Sequence, residues 1–184
     1  GPFMNDYEVE VGDAVKDLIE TVRRLYVENS IDAAVDHLKE AVANPAAIIS
    51  DMPDFDCDEV LLYLDDHVTA YYIATTPQIL YPPHEHGMIA VSAIYGGAET
   101  HIFYDRDGDD VVERSQVTFD APNVVDLDVN AVHAISNLGE RPNQTIHFYF
   151  GDLEMAKRHV WDMDGKNPRQ YVHENYLNLS RPVN

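Results

Sequence analysis

The chain has one cysteine, Cys57, among its 184 residues. No internal disulfide is possible, and with no signal-peptide pattern the sequence reads as a cytoplasmic protein. It is also poor in basic residues. Lys and Arg number 12 against 33 Asp and Glu, a formal net charge of -21. Such a surface repels nucleic acid and anionic membranes, so neither is an expected partner; its plain consequence is solubility. No apolar run approaches the length of a membrane span. No internal repeat and no low-complexity segment stands out. Between Leu25 and His84 there is no arginine at all. Gly1-Pro2-Phe3 ahead of Met4 reads as a remnant of tag cleavage and is set aside.

What is present suits one domain with a sizeable core. Val15, Leu18, Ile19, Val22, Leu25 and Tyr26 recur at three and four, the stripe of an amphipathic helix. Asn29-Ser30 ends it, and Ser30 is placed to cap a second helix carrying Ile31, Ala34, Val35, Leu38, Ala41 and Val42. Asn44-Pro45 breaks that pattern, a short turn resumes through Ile48-Ile49, and residues 51–58 form an acidic loop. From about residue 59 β-branched and aromatic runs alternate with turn chemistry. Strands are predicted over 59–64, 67–75, 77–81, 87–95, 99–104, 111–119, 123–128, 131–137 and 144–150, with hairpins at Gly96-Gly97 and Asp107-Gly108. Eight or nine short antiparallel strands predict a mainly β double-sheet jelly roll or small barrel. Residues 4–50 form its helical lead-in, 51–162 the barrel and 163–184 a tail. A short helix is predicted near 152–160 and an irregular end beyond it.

Nine histidines offer candidate ligands. His37, His159 and His173 carry no pattern. His84 and His86, in YPPHEHG, are two apart; on a strand such residues face one side, about 7 Å apart. Two imidazoles can then converge on one ion, provided a third ligand arrives from elsewhere. His133, in DLDVNAVHAISN, opens an alternating strand and is the leading third candidate; Asn130, which tolerates positive φ, precedes it. His67 stays open as an alternative. His101 is rejected as a ligand: if Gly96-Gly97 is a hairpin tip, His101 lies opposite Ser92, roughly 20 Å along the strand from His86. In TIHFYF, Thr145, His147 and Tyr149 share one face, and Ile146, Phe148 and Phe150 the other. The first set can form a hydrogen-bonded relay ending in a phenol, or a solvated face with a packed Tyr; spacing leaves both readings open.

PPHEHGMIAVSAIYGG, VHAISN and TIHFYFGD together resemble the two cupin motifs and following strand of cysteine-dioxygenase-type thiol dioxygenases, over roughly residues 59–162. The resemblance implies a cupin double-stranded β-helix with helices packed on it. The usual cupin glutamate, four or five residues after the HxH, is replaced by Ala90 and Val91. This departs from three-His, one-Glu manganese sites and fits a three-His ferrous site, which resemblance maps to His84, His86 and His133. Thr145, His147 and Tyr149 stand where the family carries a Ser-x-His-x-Tyr strand beside the iron. Asn137, four after the third ligand, matches the second cupin motif. Val91 also replaces the cysteine that animal-type enzymes crosslink to the Tyr, so no crosslink is expected. Arg158, eleven residues after His147, corresponds by spacing to the substrate-carboxylate arginine of mercaptopropionate-type enzymes; the other reading is a surface arginine.

The implied activity is Fe(II)- and O2-dependent oxidation of a small thiol to a sulfinate. Two alternatives stand beside it: a three-His iron cupin oxygenase acting on a non-thiol chelating substrate, for example by oxidative C–C cleavage, and a non-catalytic metal-binding cupin. The partners expected are a small molecule and O2, with the chain a monomer or homodimer. DRDGDD at 105–110 does not place its glycine and glutamate where an EF-hand needs them and reads as a hairpin tip. DMDGK at 162–166 reads likewise as a turn, and Trp161 as packing the tail onto the barrel.

Overall fold

A computed structural model describes residues 6–184; the reading of Gly1-Pro2-Phe3 as a remnant lies outside them. The two expected stripes become α1 (Asp13–Glu28) and α2 (Ile31–Ala43), which bury Val15, Leu18, Ile19 and Val22, and Ala34, Val35, Leu38 and Val42. Ser30 caps α2 as its sequence position suggests, its Oγ accepting from the Ala33 amide at 3.1 Å. Pro45, which cannot continue a helix but can open one, precedes the short α3 (Ala46–Asp51). Among the described residues no helix is long and apolar enough to cross a membrane.

The strands follow in chain order: β1 (Glu59–Leu64), β2 (Thr69–Ile73), β3 (Ile79–Leu80), β4 (His84–Glu85), β5 (Ala90–Gly96), β6 (Ala98–Asp107), β7 (Asp110–Asp120), β8 (Asn123–Leu127), β9 (Val132–Ser136) and β10 (Gln144–Tyr149). One antiparallel sheet has the order β1-β2-β10-β5-β8. In the other, β9 is flanked by β6 on one side and by β3 and β4 on the other, and β7 pairs with β6. Consecutive strands switch sheets repeatedly, so the two sheets wind around one interior. This is the cupin-type double-stranded β-helix expected from the sequence, with helices packed on it.

The outer face of the five-stranded sheet receives the helices. Ile146 and Phe148 of β10 and Val91 and Ala93 of β5 pack with Ile19, Val22 and Leu38 in one apolar cluster. Each large side chain buried there contributes roughly 1.5–3 kcal/mol. The inner face has a smaller cluster containing Ala90, Ile94, Leu127, Tyr149 and Leu153, and its remaining space is polar.

Three local expectations change. Gly97 has φ +70 and turns the chain, but β5 and β6 do not pair: β5 lies between β10 and β8, and β6 between β7 and β9. Gly96-Gly97 is therefore a passage between sheets, not a hairpin tip. The helix predicted near 152–160 is only a 3-10 turn, Leu153–Met155, followed by β11 (His159–Val160), which docks on β4. The tail is ordered into β12 (Arg169–Gln170), α4 (His173–Leu179) and β13 (Arg181–Pro182) rather than irregular. The tip at Asp107-Gly108 joins β6 and β7 as expected, the chain turns at 162–166, and Trp161 packs on Val111 and Val132, its Nε1 donating to Asp109 O at 2.8 Å.

Candidate metal centre

His84 on β4 lies directly opposite His133 on β9, and His86 follows β4 just ahead of Gly87, which takes φ +72. The pleat turns all three imidazoles inward. One nitrogen from each lies within 4.8 Å of the others, and among the described residues this is the one group of three or more His, Cys, Asp or Glu arranged to hold a metal. The ring centroids are 4.7–5.1 Å apart. Glu85 points the other way, as alternation requires. It binds Arg106 Nη2 at 2.7 Å and His159 Nδ1 at 2.6 Å on the outside.

The donor set fits a divalent ion. The His84 Nδ1–H donates to the Pro82 carbonyl at 3.0 Å, which leaves Nε2 as the lone-pair nitrogen. His133 has its Nδ1 against His101 Nδ1 at 3.0 Å, while its Nε2 is buried with no hydrogen-bond partner. A buried polar atom left this way costs about 1–3 kcal/mol unless something binds it. Burial pushes the His84 imidazole down to about 3, against the opposing pull of the Pro82 carbonyl. Burial likewise holds His86 and His133 well below the ordinary histidine range. Neutral imidazoles are the form that coordinates a metal.

Beside them stands β10. Thr145, His147 and Tyr149 are all buried and face the interior, so the solvated-face reading does not hold. The Tyr149 ring is 5.2 Å from that of His86, and its hydroxyl is 3.3 Å from His147 Nδ1. Burial raises the Tyr149 phenol well above its ordinary value. Thr145 is not linked to His147: its Oγ1 donates to Ile73 O at 2.6 Å and braces β10 against β2. The partner of His147 Nε2 is Glu99, at 2.9 Å. Glu99, on β6, is fully buried and also takes His101 Nε2 at 2.6 Å. Burial alone would raise its carboxyl, but the two imidazoles and their hydrogen bonds hold it well below the usual carboxylate range.

His101 therefore stands elsewhere than the hairpin reading put it. It is not one of the three histidines grouped together, yet its ring is 5.0 Å from that of His133 because β6 pairs with β9. His67 is exposed on the turn before β2 and takes no part. Asn137 is buried and ties two loops, donating to Thr75 O and Arg141 O. Sequence reasoning missed Glu99, although its i, i+2 spacing to His101 was a usable sign of a shared face.

A cavity of about 310 Å³ opens on this group and is lined by the three histidines, His147, Tyr149 and Arg158. Arg158 is half-buried; its guanidinium stacks 3.6 Å over the Tyr171 ring, and its Nη1 donates to Glu85 O at 3.1 Å. Tyr171 and Tyr176, from the tail, close the side next to His84, with ring separations of 6.0 and 5.1 Å. The Tyr171 hydroxyl is pushed up to about 12, chiefly by burial, with Arg158 opposing.

No family model and no curated protein matches the chain. Solved structures do. An RmlC-like cupin family protein from Methanocaldococcus jannaschii is 16% identical, with 55% of this chain and 89% of that one covered and a TM-score of 0.45. A cupin superfamily protein from Desulfitobacterium hafniense is 15% identical over 51% of this chain and 76% of that one, with a TM-score of 0.42. Oxalate decarboxylase of Bacillus subtilis, described with Mn(II) centres, is 15% identical over 56% of this chain and 29% of its own, with a TM-score of 0.42. The fold assignment rests on the strand order and register above, and the site on its own geometry.

Proposed function

We propose that the chain is a non-haem iron dioxygenase that binds Fe(II) through His84, His86 and His133 and oxidises a small anionic thiol to its sulfinate. The observation that carries this reading is the convergence of three buried, neutral imidazoles, with no carboxylate among them, on a cavity shared with Tyr149 and Arg158. His84, His86 and His133 would hold the ion through three nitrogens, the donor count of facial-triad oxygenases. When bound, the ion would supply the redox chemistry that allows O2 to react with sulfur.

The remaining work falls to the protein. Arg158, anchored by Tyr171 and the Glu85 carbonyl, offers its free guanidinium edge to a carboxylate and so fixes one end of the substrate. Tyr149, held by His147, places its phenol beside the reacting end. Tyr171 and Tyr176 narrow the cavity and exclude water, which strengthens each polar contact inside. Holding the sulfur in one orientation supplies much of the rate. The balance is simple: one thiol and one O2 give one sulfinic acid, both oxygen atoms ending on sulfur.

Anaerobic loading with Fe(II), followed by oxygen uptake across a panel of carboxylate-bearing thiols, tests this. The expected result is one O2 consumed per thiol and a product 32 mass units heavier with ordinary oxygen. Uptake confined to chelating substrates without a thiol would replace the reading with another oxygenase activity. Iron binding with no uptake on any substrate would leave a non-catalytic metal-binding cupin.

A further inference from the structure

We infer that Glu99 is a positioning residue that sets, through one buried carboxylate, both the metal-facing nitrogen of His133 and the direction in which Tyr149 presents its hydroxyl. The inference rests on the three-His metal reading for its first consequence and on the hydrogen-bond geometry alone for its second.

An ionised carboxylate only accepts. The two Glu99 oxygens lie 2.6 Å from His101 Nε2 and 2.9 Å from His147 Nε2. Both of those nitrogens therefore carry hydrogen. A ring whose single hydrogen sits on Nε2 leaves its Nδ1 as a bare acceptor. On one arm His101 Nδ1 must accept from His133 Nδ1, 3.0 Å away, which leaves His133 Nε2 as a lone pair. That atom is the buried, unpartnered nitrogen of the metal cluster. On the other arm His147 Nδ1 accepts from the Tyr149 hydroxyl at 3.3 Å. The phenol oxygen then turns its lone pairs, not its proton, toward the cavity.

Every hydrogen bond in the network thus points at Glu99. The fold makes this possible by bridging its two sheets: β6 and β9 belong to one, β10 to the other. Glu99 and His101 share a face of β6, and β6 is register-paired to β9 so that His101 lies diagonal to His133. No neutral residue can do the same. In Glu99→Gln the amide keeps one acceptor and gains a donor, so one of the two facing imidazoles must reverse its tautomer to accept from that donor. If the His101 arm reverses, His133 gains a proton on Nε2, and binding a metal must first expel it. If the His147 arm reverses, Tyr149 is freed to donate into the cavity.

The test uses the full chain, uniformly labelled with nitrogen-15, in the metal-free form and with Co(II). Long-range proton–nitrogen spectra read the tautomer of each ring. In the wild type the expected result is hydrogen on Nε2 of His101 and His147 and on Nδ1 of His133. In Glu99→Gln at least one arm reverses, and reversal of the His101 arm weakens Co(II) binding roughly 10- to 100-fold. A wild-type spectrum with hydrogen on His133 Nε2 or His101 Nδ1 overturns the inference. So does a folded Glu99→Gln protein with all tautomers and the Co(II) affinity unchanged. If that variant fails to fold, the wild-type spectrum alone decides. If the wild type binds no Co(II), the metal reading fails, while the tautomers still test the role of Glu99.

Discussion

The two faces of β10 are equally buried and opposite in chemistry. Ile146 and Phe148, with Phe150 just past the strand end, turn outward onto the helices, and Thr145, His147 and Tyr149 turn inward; none of the six is more than 7% exposed. Outside, each residue is held by its neighbours' shape and by the loss of water. Inside, each polar side chain has a named partner: Ile73 O for Thr145, Glu99 for His147, His147 for Tyr149. The outer face stabilises the fold, and the inner face is kept polar at a cost in burial that an apolar core would avoid. A strand that merely needed packing would have no reason to bury such a set.

Substitutions on the two faces should therefore separate stability from chemistry. The largest loss is expected from Phe148→Ala, which empties a fully buried position on the helix side. Denaturant unfolding should show about 3–5 kcal/mol of destabilisation, with one metal ion per chain still bound in whatever remains folded. One step inward, Tyr149→Phe should lower turnover on the best thiol by about 100-fold while costing only about 1–2 kcal/mol of unfolding free energy, for the His147 nitrogen left without its partner. Equal loss of stability on both substitutions would erase the distinction between the faces.

A smaller effect is expected at Asp65, where the outer layer meets the hairpin of β1 and β2. It pairs with Arg23 of α1 and accepts from the Tyr63 hydroxyl and the His67 and Val68 amides. Burial alone would raise its carboxyl, but these hydrogen bonds and Arg23 hold it below the usual range. A carboxyl lowered by folding stabilises the fold above its unfolded value, and that gain is lost as pH falls through the folded value. Asp65→Asn should cost about 1–3 kcal/mol near neutrality and flatten the acid limb of the stability profile. An unchanged acid limb would mean that other carboxyls carry it.

Much of this was legible in the sequence, for reasons that also explain what was not. Alternation along 144–150 and the spacing of His84 and His86 are local, because a strand pleat fixes which side chains share a face whatever its neighbours are. His133 could be singled out because it opens such a strand. What a strand pairs with is not local. Gly96-Gly97 carries the chemistry of a chain reversal, and a passage between sheets needs the same chemistry as a hairpin. Taking it for a hairpin placed His101 roughly 20 Å away, when the register of β6 with β9 sets it against His133. Glu99 went unnoticed for the same reason: its partner His147 lies across the interior on the other sheet. Spacing leaves the role of Thr145 open and only the resemblance puts it in a relay, whereas β2 supplies it an acceptor, Ile73 O. The tail was the least legible part. Residues 159–160 become a strand only because β4 offers them an open edge, and that edge exists only in the folded barrel.

The account stands on the interior being a metal site, and X-ray absorption with metal analysis on the Fe(II)-loaded full chain tests it most directly. It predicts one iron per chain, coordinated by three imidazole nitrogens at about 2 Å, and loss of that signal in His133→Ala with the fold intact. Iron bound without imidazole ligands, or bound equally well by His133→Ala, would contradict it.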